Sequence, residues 1–179
     1  MALVLLTALA SGCGGGSNSA AETTTRHRLY PWLKGPTREF LIRGDDNSVQ
    51  IFGREATKAE REQASRVIQA WMKARASQNW KKDCSYLSRR YIHSLVPEDA
   101  EQVTHGRIKT CPQALAYFGH EASGSYKNNL TGPIDSLRVE EGRGYAQYHG
   151  NDGHDWILNV ELENGRWLVA IASPIGRSS

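Results

Sequence analysis

Cysteine is scarce in this chain: three residues in 179, at positions 13, 84 and 111. None belongs to a C-x-x-C pair, which excludes a zinc knuckle, and three are too few to staple a disulfide-rich miniprotein. Long apolar runs are missing too. No stretch approaches the roughly 18–20 residues that a bilayer-spanning helix needs. No glycine loop of the phosphate- or dinucleotide-binding kind occurs, and Ser123-Gly124-Ser125 lacks the spacing of a nucleophile elbow. Charge of one sign is also lacking across most of the length. The net excess of +3 sits between Gly14 and Arg38, where Arg26, Arg28, Lys34 and Arg38 face only Glu22. From Glu39 onward, 18 basic residues balance 18 acidic ones. That balance excludes a body-wide basic face for nucleic acid. What is present suits one soluble domain: 39% hydrophobic and 23% charged residues in a length typical of a single unit.

The N-terminus reads as an address. Ala2 to Ala10 is apolar apart from Thr7, the length of a secretory h-region rather than of a membrane span. No Lys or Arg precedes it, which departs from the usual positive start. Ala10-Ser11-Gly12 before Cys13, and Gly14-Gly15-Gly16 after it, resemble the lipobox of bacterial lipoproteins. That resemblance implies a signal peptide over 1–12, a diacylglyceryl group on the Cys13 thiol, and an extracytoplasmic, membrane-anchored location. Residues 13–38 read as a flexible basic tether, because Gly14–Ser19 and Thr23–Thr25 cannot bury enough surface to order themselves. About 25 such residues reach roughly 25–30 Å. Tyr30-Pro31-Trp32-Leu33 allows two readings: aromatics settled at a lipid interface, or side chains packed on the outside of the domain.

The body, over 39–175, begins with Glu39–Arg43 and Ser48–Gly53 flanking a Gly44–Asn47 turn, the pattern of a hairpin or β-arm. Thr57 with Glu60 forms a capping box, and nothing breaks a helix from Lys58 to Asn79. Ala64, Val67, Ile68, Trp71, Met72 and Arg75 recur at helical spacing. A second helix is expected over Lys82–Leu95, and a short third one after Pro112. The last fifty residues change to period two. Ile134–Glu140, Arg143–His149, His154–Leu162 and Arg166–Ala172 are separated by Glu141-Gly142, Gly150–Gly153 and Glu163-Asn164-Gly165, the signals of an antiparallel meander. Helices followed by such a meander make an α+β plan.

Five short patterns carry a resemblance within that plan: Gly44–Gln50, Trp80-Lys81-Lys82-Asp83-Cys84, Cys111-Pro112-Gln113-Ala114-Leu115, Tyr148-His149-Gly150 and Glu163-Asn164-Gly165-Arg166-Trp167. In this order the chain resembles the nuclear transport factor 2-like superfamily, and within it the lipid-anchored extracytoplasmic members of actinobacterial type. The resemblance implies a cone-shaped, cystatin-like fold, a curved antiparallel sheet wrapped around the long first helix. It also implies pairing of exposed sheet faces into a homodimer, and, in its enzymes, isomerase or dehydratase chemistry in the mouth of the cone.

Such chemistry needs an imidazole or carboxylate in an apolar pocket beside an aromatic wall. The candidates are His149, His154, Asp155 and Tyr148, near the Gly150–Gly153 tip, where an exposed hairpin end is expected in any case. On a regular strand Tyr148 and His149 face opposite sides. Asp152, Asp155 and His149 or His154 lack any recognised metal-ligand spacing, so neither metal nor cofactor is expected. Trp71, Tyr91, Trp156 and Trp167 are candidates to line a cavity, or simply to fill the core. Once Cys13 is acylated, Cys84 and Cys111 remain, and an exported chain meets oxidising conditions, so the two are expected to be bonded. The leading expectation is an anchored, non-catalytic module that binds a small apolar ligand or a protein partner through its cone or its open sheet face. An isomerase-type enzyme is the alternative.

Overall fold

In a computed structural model the described residues are 30–42, 45–118, 133–151 and 153–174, with backbone alone at 97, 98, 101 and 171–174. The signal segment, Cys13, the tether as far as residue 29, Arg43-Gly44, the 119–132 loop and Asp152 lie outside them. Among the described residues no helix is long and apolar enough to cross a membrane.

The long helix, α1, runs Lys58–Ala76. Its start is fixed by the expected capping box: the Thr57 N–H donates to Glu60 Oε2 at 2.8 Å, and the Glu60 N–H donates to Thr57 Oγ1 at 3.3 Å. Arg54 forks onto the same carboxylate at 3.0 and 2.8 Å. Those bonds, Arg54 first and the Thr57 amide second, hold the Glu60 carboxyl down at about 2. Stability from this cap is therefore complete above the ordinary Glu value and fades as pH falls toward 2. The apolar stripe Ala64, Ile68, Trp71 and Met72 is buried, and Val67 is half-buried. Gln78, in left-handed backbone at φ 54°, turns the chain out of the helix.

The expected helix over Lys82–Leu95 is instead two short ones, α2 (Trp80–Cys84) and α3 (Arg89–His93). Each has its own cap, Asn79 and Ser88, whose side chains accept from Lys82 N–H and Tyr91 N–H. Between them Tyr86–Ser88 lies along the last strand: the Val169 N–H donates to Tyr86 O and the Ser88 N–H to Val169 O, both at 2.8 Å. Sheet pairing at Leu87 interrupts the helix that local sequence favours. Beyond α3 the chain winds through a wide helical turn, Ser94–Ala100, and a last turn at Glu101–Val103. The helix α4 covers 111–118. Cys84 and Cys111 are bonded and join α2 to the start of α4.

The sheet is an antiparallel meander in sequential order: β1 (Arg54–Glu55), β2 (Ser136–Glu140), β3 (Arg143–His149), β4 (Asp155–Glu163) and β5 (Arg166–Pro174). Glu141-Gly142 and Asn164-Gly165 both take positive φ at their two residues, the geometry that matches the twist of the flanking strands. One face (Leu137, Val139, Ala146, Tyr148, Leu158, Val160, Trp167, Val169) packs on α1 in a single apolar core.

The other face is covered as well over β2 and β3, and this departs from the sequence reading. Residues 30–38, read as the end of a tether, and 39–53, read as a hairpin, form an arm of turns with one 3₁₀ segment, Pro36–Phe40. Leu33, Phe40 and Leu41 are buried at 1% exposure. The Thr37 hydroxyl donates to Gln147 Oε1 at 3.1 Å, and Arg138 donates to the Phe52 and Gly53 carbonyls at 2.8 and 2.6 Å. Phe52 packs edge-on against Tyr145. The polar, outward residues of the alternation (Ser136, Arg138, Gln147) are consequently buried. Of the two readings of Tyr30–Leu33, packing holds for Leu33, whereas Trp32 stays 59% exposed.

The disulfide closes a separation of 27 residues. In the chain-entropy account such a loop contributes about 3.5 kcal/mol. Replacing both cysteines with serine is expected to lower the urea-unfolding free energy by about that amount in non-reducing buffer, and alkylation of the native protein is expected to find neither thiol free.

Candidate functional site

The interior of the fold holds three of the four expected cavity residues, and they are packing. Trp71 and Trp167 are 2% and 3% exposed within the core, and Trp156 packs against it. Tyr148 lies there too, its ring stacked toward Trp156 at 6.5 Å between centroids. The charged groups inside are paired. Asp83 is fully buried and receives two hydrogen bonds from Arg75, from Nε to Oδ2 and from Nη2 to Oδ1 at 3.2 Å. The guanidinium sits 5.2 Å from the Trp71 ring centroid. Burial pushes the Asp83 carboxyl up, and Arg75 and Trp71 oppose the shift.

The sequence candidates His149, Asp155 and Tyr148 separate as the pleat dictates. His149 and Asp155 are register partners on β3 and β4, on the face away from α1, whereas Tyr148 points into the core. His149 Nδ1 lies 2.6 Å from Asp155 Oδ1, and Nε2 lies 3.7 Å from Glu39 Oε2. Phe40 stacks on the imidazole at 4.6 Å, and Asp135 accepts the His149 backbone N–H at 3.1 Å. A carboxylate on Nδ1 fixes the ring and leaves Nε2 outward, an arrangement able to move a proton. Its surroundings are those of a clasp: Phe40 covers one side of the ring, Glu39 meets the other nitrogen, and neither His149 nor Asp155 lines the clefts described next. His154 is exposed, and among the described residues no group of three His, Cys, Asp or Glu could hold a metal ion.

A cleft of about 460 Å³ opens between α3 with its wide turn and the β4–β5 ladder, lined by Arg90, Tyr91, Ser94, Asp99, Asn159 and Ala170. Two features of the chain make it. The Ser88 cap aims α3, and Arg89 and Arg90 fasten it to Glu163 and Glu161 of β4 at 3.4 and 3.1 Å. Opposite, the ladder shifts register between Asn159 and Val160, so Ala170 is an extra residue on β5 that adds local twist. A smaller hollow of about 50 Å³ shares Arg90, Asn159 and Ala170 and adds Arg143, Gly144, Tyr145, Val160 and Glu161. Trp167 lines a separate groove of about 220 Å³, walled partly by the Arg54–Glu60 pair.

Apart from Arg90, which Glu161 holds, the polar lining of the large cleft makes no side-chain hydrogen bond among the described residues. None of the side chains of Tyr91, Ser94, Asp99 and Asn159 hydrogen-bonds to a described residue. Burial, aided by Asp83 and Asp99 and opposed by Arg75, pushes the Tyr91 phenol up, so it remains a neutral hydroxyl. A concave site of this size with a few converging polar groups is the usual form of a small-ligand seat. Of its residues only Tyr91 is a cavity candidate from sequence. Asn159 reads there as an ordinary outward polar position, and Ser94 and Asp99 as part of a helix end and an irregular stretch. The one available signal was Asn159 standing among Ile157, Leu158 and Val160.

No protein-family model matches the chain, and neither a curated protein nor a solved structure is significantly similar to it.

Arg75→Met leaves the Asp83 carboxylate buried without its partner, a loss of about 3–5 kcal/mol. Burial raises that carboxyl above its unfolded value, so the penalty of ionising it grows as pH rises. Urea unfolding of this variant is expected to show a larger deficit at pH 7 than at pH 4.

Proposed function

We propose that the chain is a lipid-tethered, extracytoplasmic binding module of nuclear transport factor 2-like architecture, without catalysis of its own, that seats a small ligand between α3 and the β4–β5 bulge. One observation carries the reading: four side chains with free hydrogen-bonding groups, Tyr91, Ser94, Asp99 and Asn159, converge on one cleft of about 460 Å³. Leaving such groups unsatisfied beneath a ligand costs about 1–3 kcal/mol each, so this lining favours a polar ligand over an apolar one. The lipobox-like run around Cys13 supports the anchor, and the Cys84–Cys111 bond agrees with an oxidising compartment. A homodimer through an open sheet face has less surface to use, because the arm occupies the part of that face over β2 and β3.

A second reading rests on the 2.6 Å contact between His149 and Asp155, which would make His149 a general base in an isomerase-type enzyme.

A fragment screen read by backbone amide shifts separates the two. Hits are expected to cluster at Tyr91, Ser94 and Asn159. Clustering at Phe40, His149 and Asp155 would favour the enzyme instead, and hits at neither place would remove the cleft as a ligand seat. The anchor is tested by fractionating the producing cell. The full chain is expected with membranes and its Cys13→Ser variant in the soluble fraction; a soluble parent chain would overturn the anchor.

A further inference from the structure

We infer that the ligand of this cleft is a neutral saccharide, an inference that rests on the reading of the cleft as the ligand seat. Charge decides the first step. Over the cleft and its adjoining hollow the lining carries two guanidiniums, Arg90 and Arg143, and two carboxylates, Asp99 and Glu161. Arg90 is already held by Glu161 at 3.1 Å. An anion entering here meets Asp99 and Glu161; a cation meets Arg90 and Arg143. The balanced field selects neither.

Hydrogen-bond chemistry decides the second. The hydroxyls of Tyr91 and Ser94 and the amide of Asn159 each donate and accept, Asp99 only accepts, and Arg90 only donates. A ligand that satisfies such a mixture must itself offer donors and acceptors side by side, as a run of hydroxyl groups does. The planar ends of Arg90, Asn159 and Asp99 suit two neighbouring hydroxyls at once. Shape supplies the third step. Tyr91 lines the large cleft and Tyr145 the small hollow, with Arg90, Asn159 and Ala170 as their common wall. The Tyr91 ring in the large cleft offers an apolar surface to the C–H side of a sugar ring. Ala170, small and part of the wall common to both, leaves room for that ring.

The test titrates the full chain carrying Cys13→Ser with maltotriose, cellotriose and triacetylchitotriose, and separately with choline and glutamate, by amide NMR. At least one trisaccharide is expected to shift Tyr91, Ser94 and Asn159 saturably. Tyr91→Phe and Asn159→Ala are each expected to weaken that binding roughly tenfold, the scale of one lost hydrogen bond. Their melting temperatures stay at the parent value, since neither group is bonded within the described chain. Saturable shifts from choline or glutamate, with none from the sugars, would overturn the saccharide and keep the cleft. No shift from any of the five probes would overturn the saccharide, and cleft hits in the fragment screen would then show the seat itself intact. Sugar binding unaffected by both substitutions would overturn the proposal by placing the sugar elsewhere.

Discussion

Asp83 is shut away from water, and Arg75 makes that burial tolerable. Desolvating a lone carboxylate costs several kcal/mol, and a well-aligned guanidinium with an indole beneath it offsets most of this. The pair ties α1 to α2 at a point eight residues apart in sequence. The segment that leads from α2 to α3 starts from that tie. Cys84, the next residue, holds α4 through Cys111. Tyr86–Ser88 then reaches β5, Ser88 caps α3, and α3 forms one wall of the cleft. An electrostatic contact inside the fold thus sets the geometry of a hollow on its outside.

The meander imposes the second constraint. A sheet with one apolar face normally leaves the other to solvent. Here the arm lies across β2 and β3 on that other face, where Arg138 and Gln147, which alternation places outward, are buried. Arg138 meets the arm's backbone carbonyls and the Gln147 amide oxygen meets Thr37, while Gln147 Nε2 is buried without a partner, so hydrogen bonds and the buried Leu33, Phe40 and Leu41 together hold this second layer. The His149 cluster belongs to this second layer: Phe40, Glu39, Asp135 and Asp155 all meet it where the arm crosses β3 and β4.

Much of this architecture was legible before any coordinates. The period-3.6 stripe, the Thr57–Glu60 box and the Asn-Gly turn each report one local preference, and each held: α1 begins at Lys58, and β4 turns into β5 at Asn164-Gly165. Cys84 and Cys111 could be paired by elimination. The failures share a cause, which is that the deciding contact is far away in sequence. Residues 30–38 look like a linker because their partners, Gln147 among them, lie a hundred residues downstream. Lys82–Leu95 looks like one helix because nothing local announces that Leu87 will pair with Val169. The cleft needs α3 and the bulge together, and only Tyr91, an aromatic on a helical face, gave it away. His149 and Asp155 were found by sequence proximity and do meet, yet their neighbours make them a clasp between layers.

The arm also dictates an order of assembly. Thr37 bonds Gln147 across 110 positions, and Arg138 bonds the Phe52 carbonyl across 86. Closing such loops is entropically costly until the strands that reward it exist. Helix α1 can nucleate from its own capping box, and the hairpins β2–β3 and β4–β5 from their two-residue turns. The arm has no such local start, so it is the last to find its place, and it waits for a carboxyl-terminal half that the ribosome delivers only afterwards.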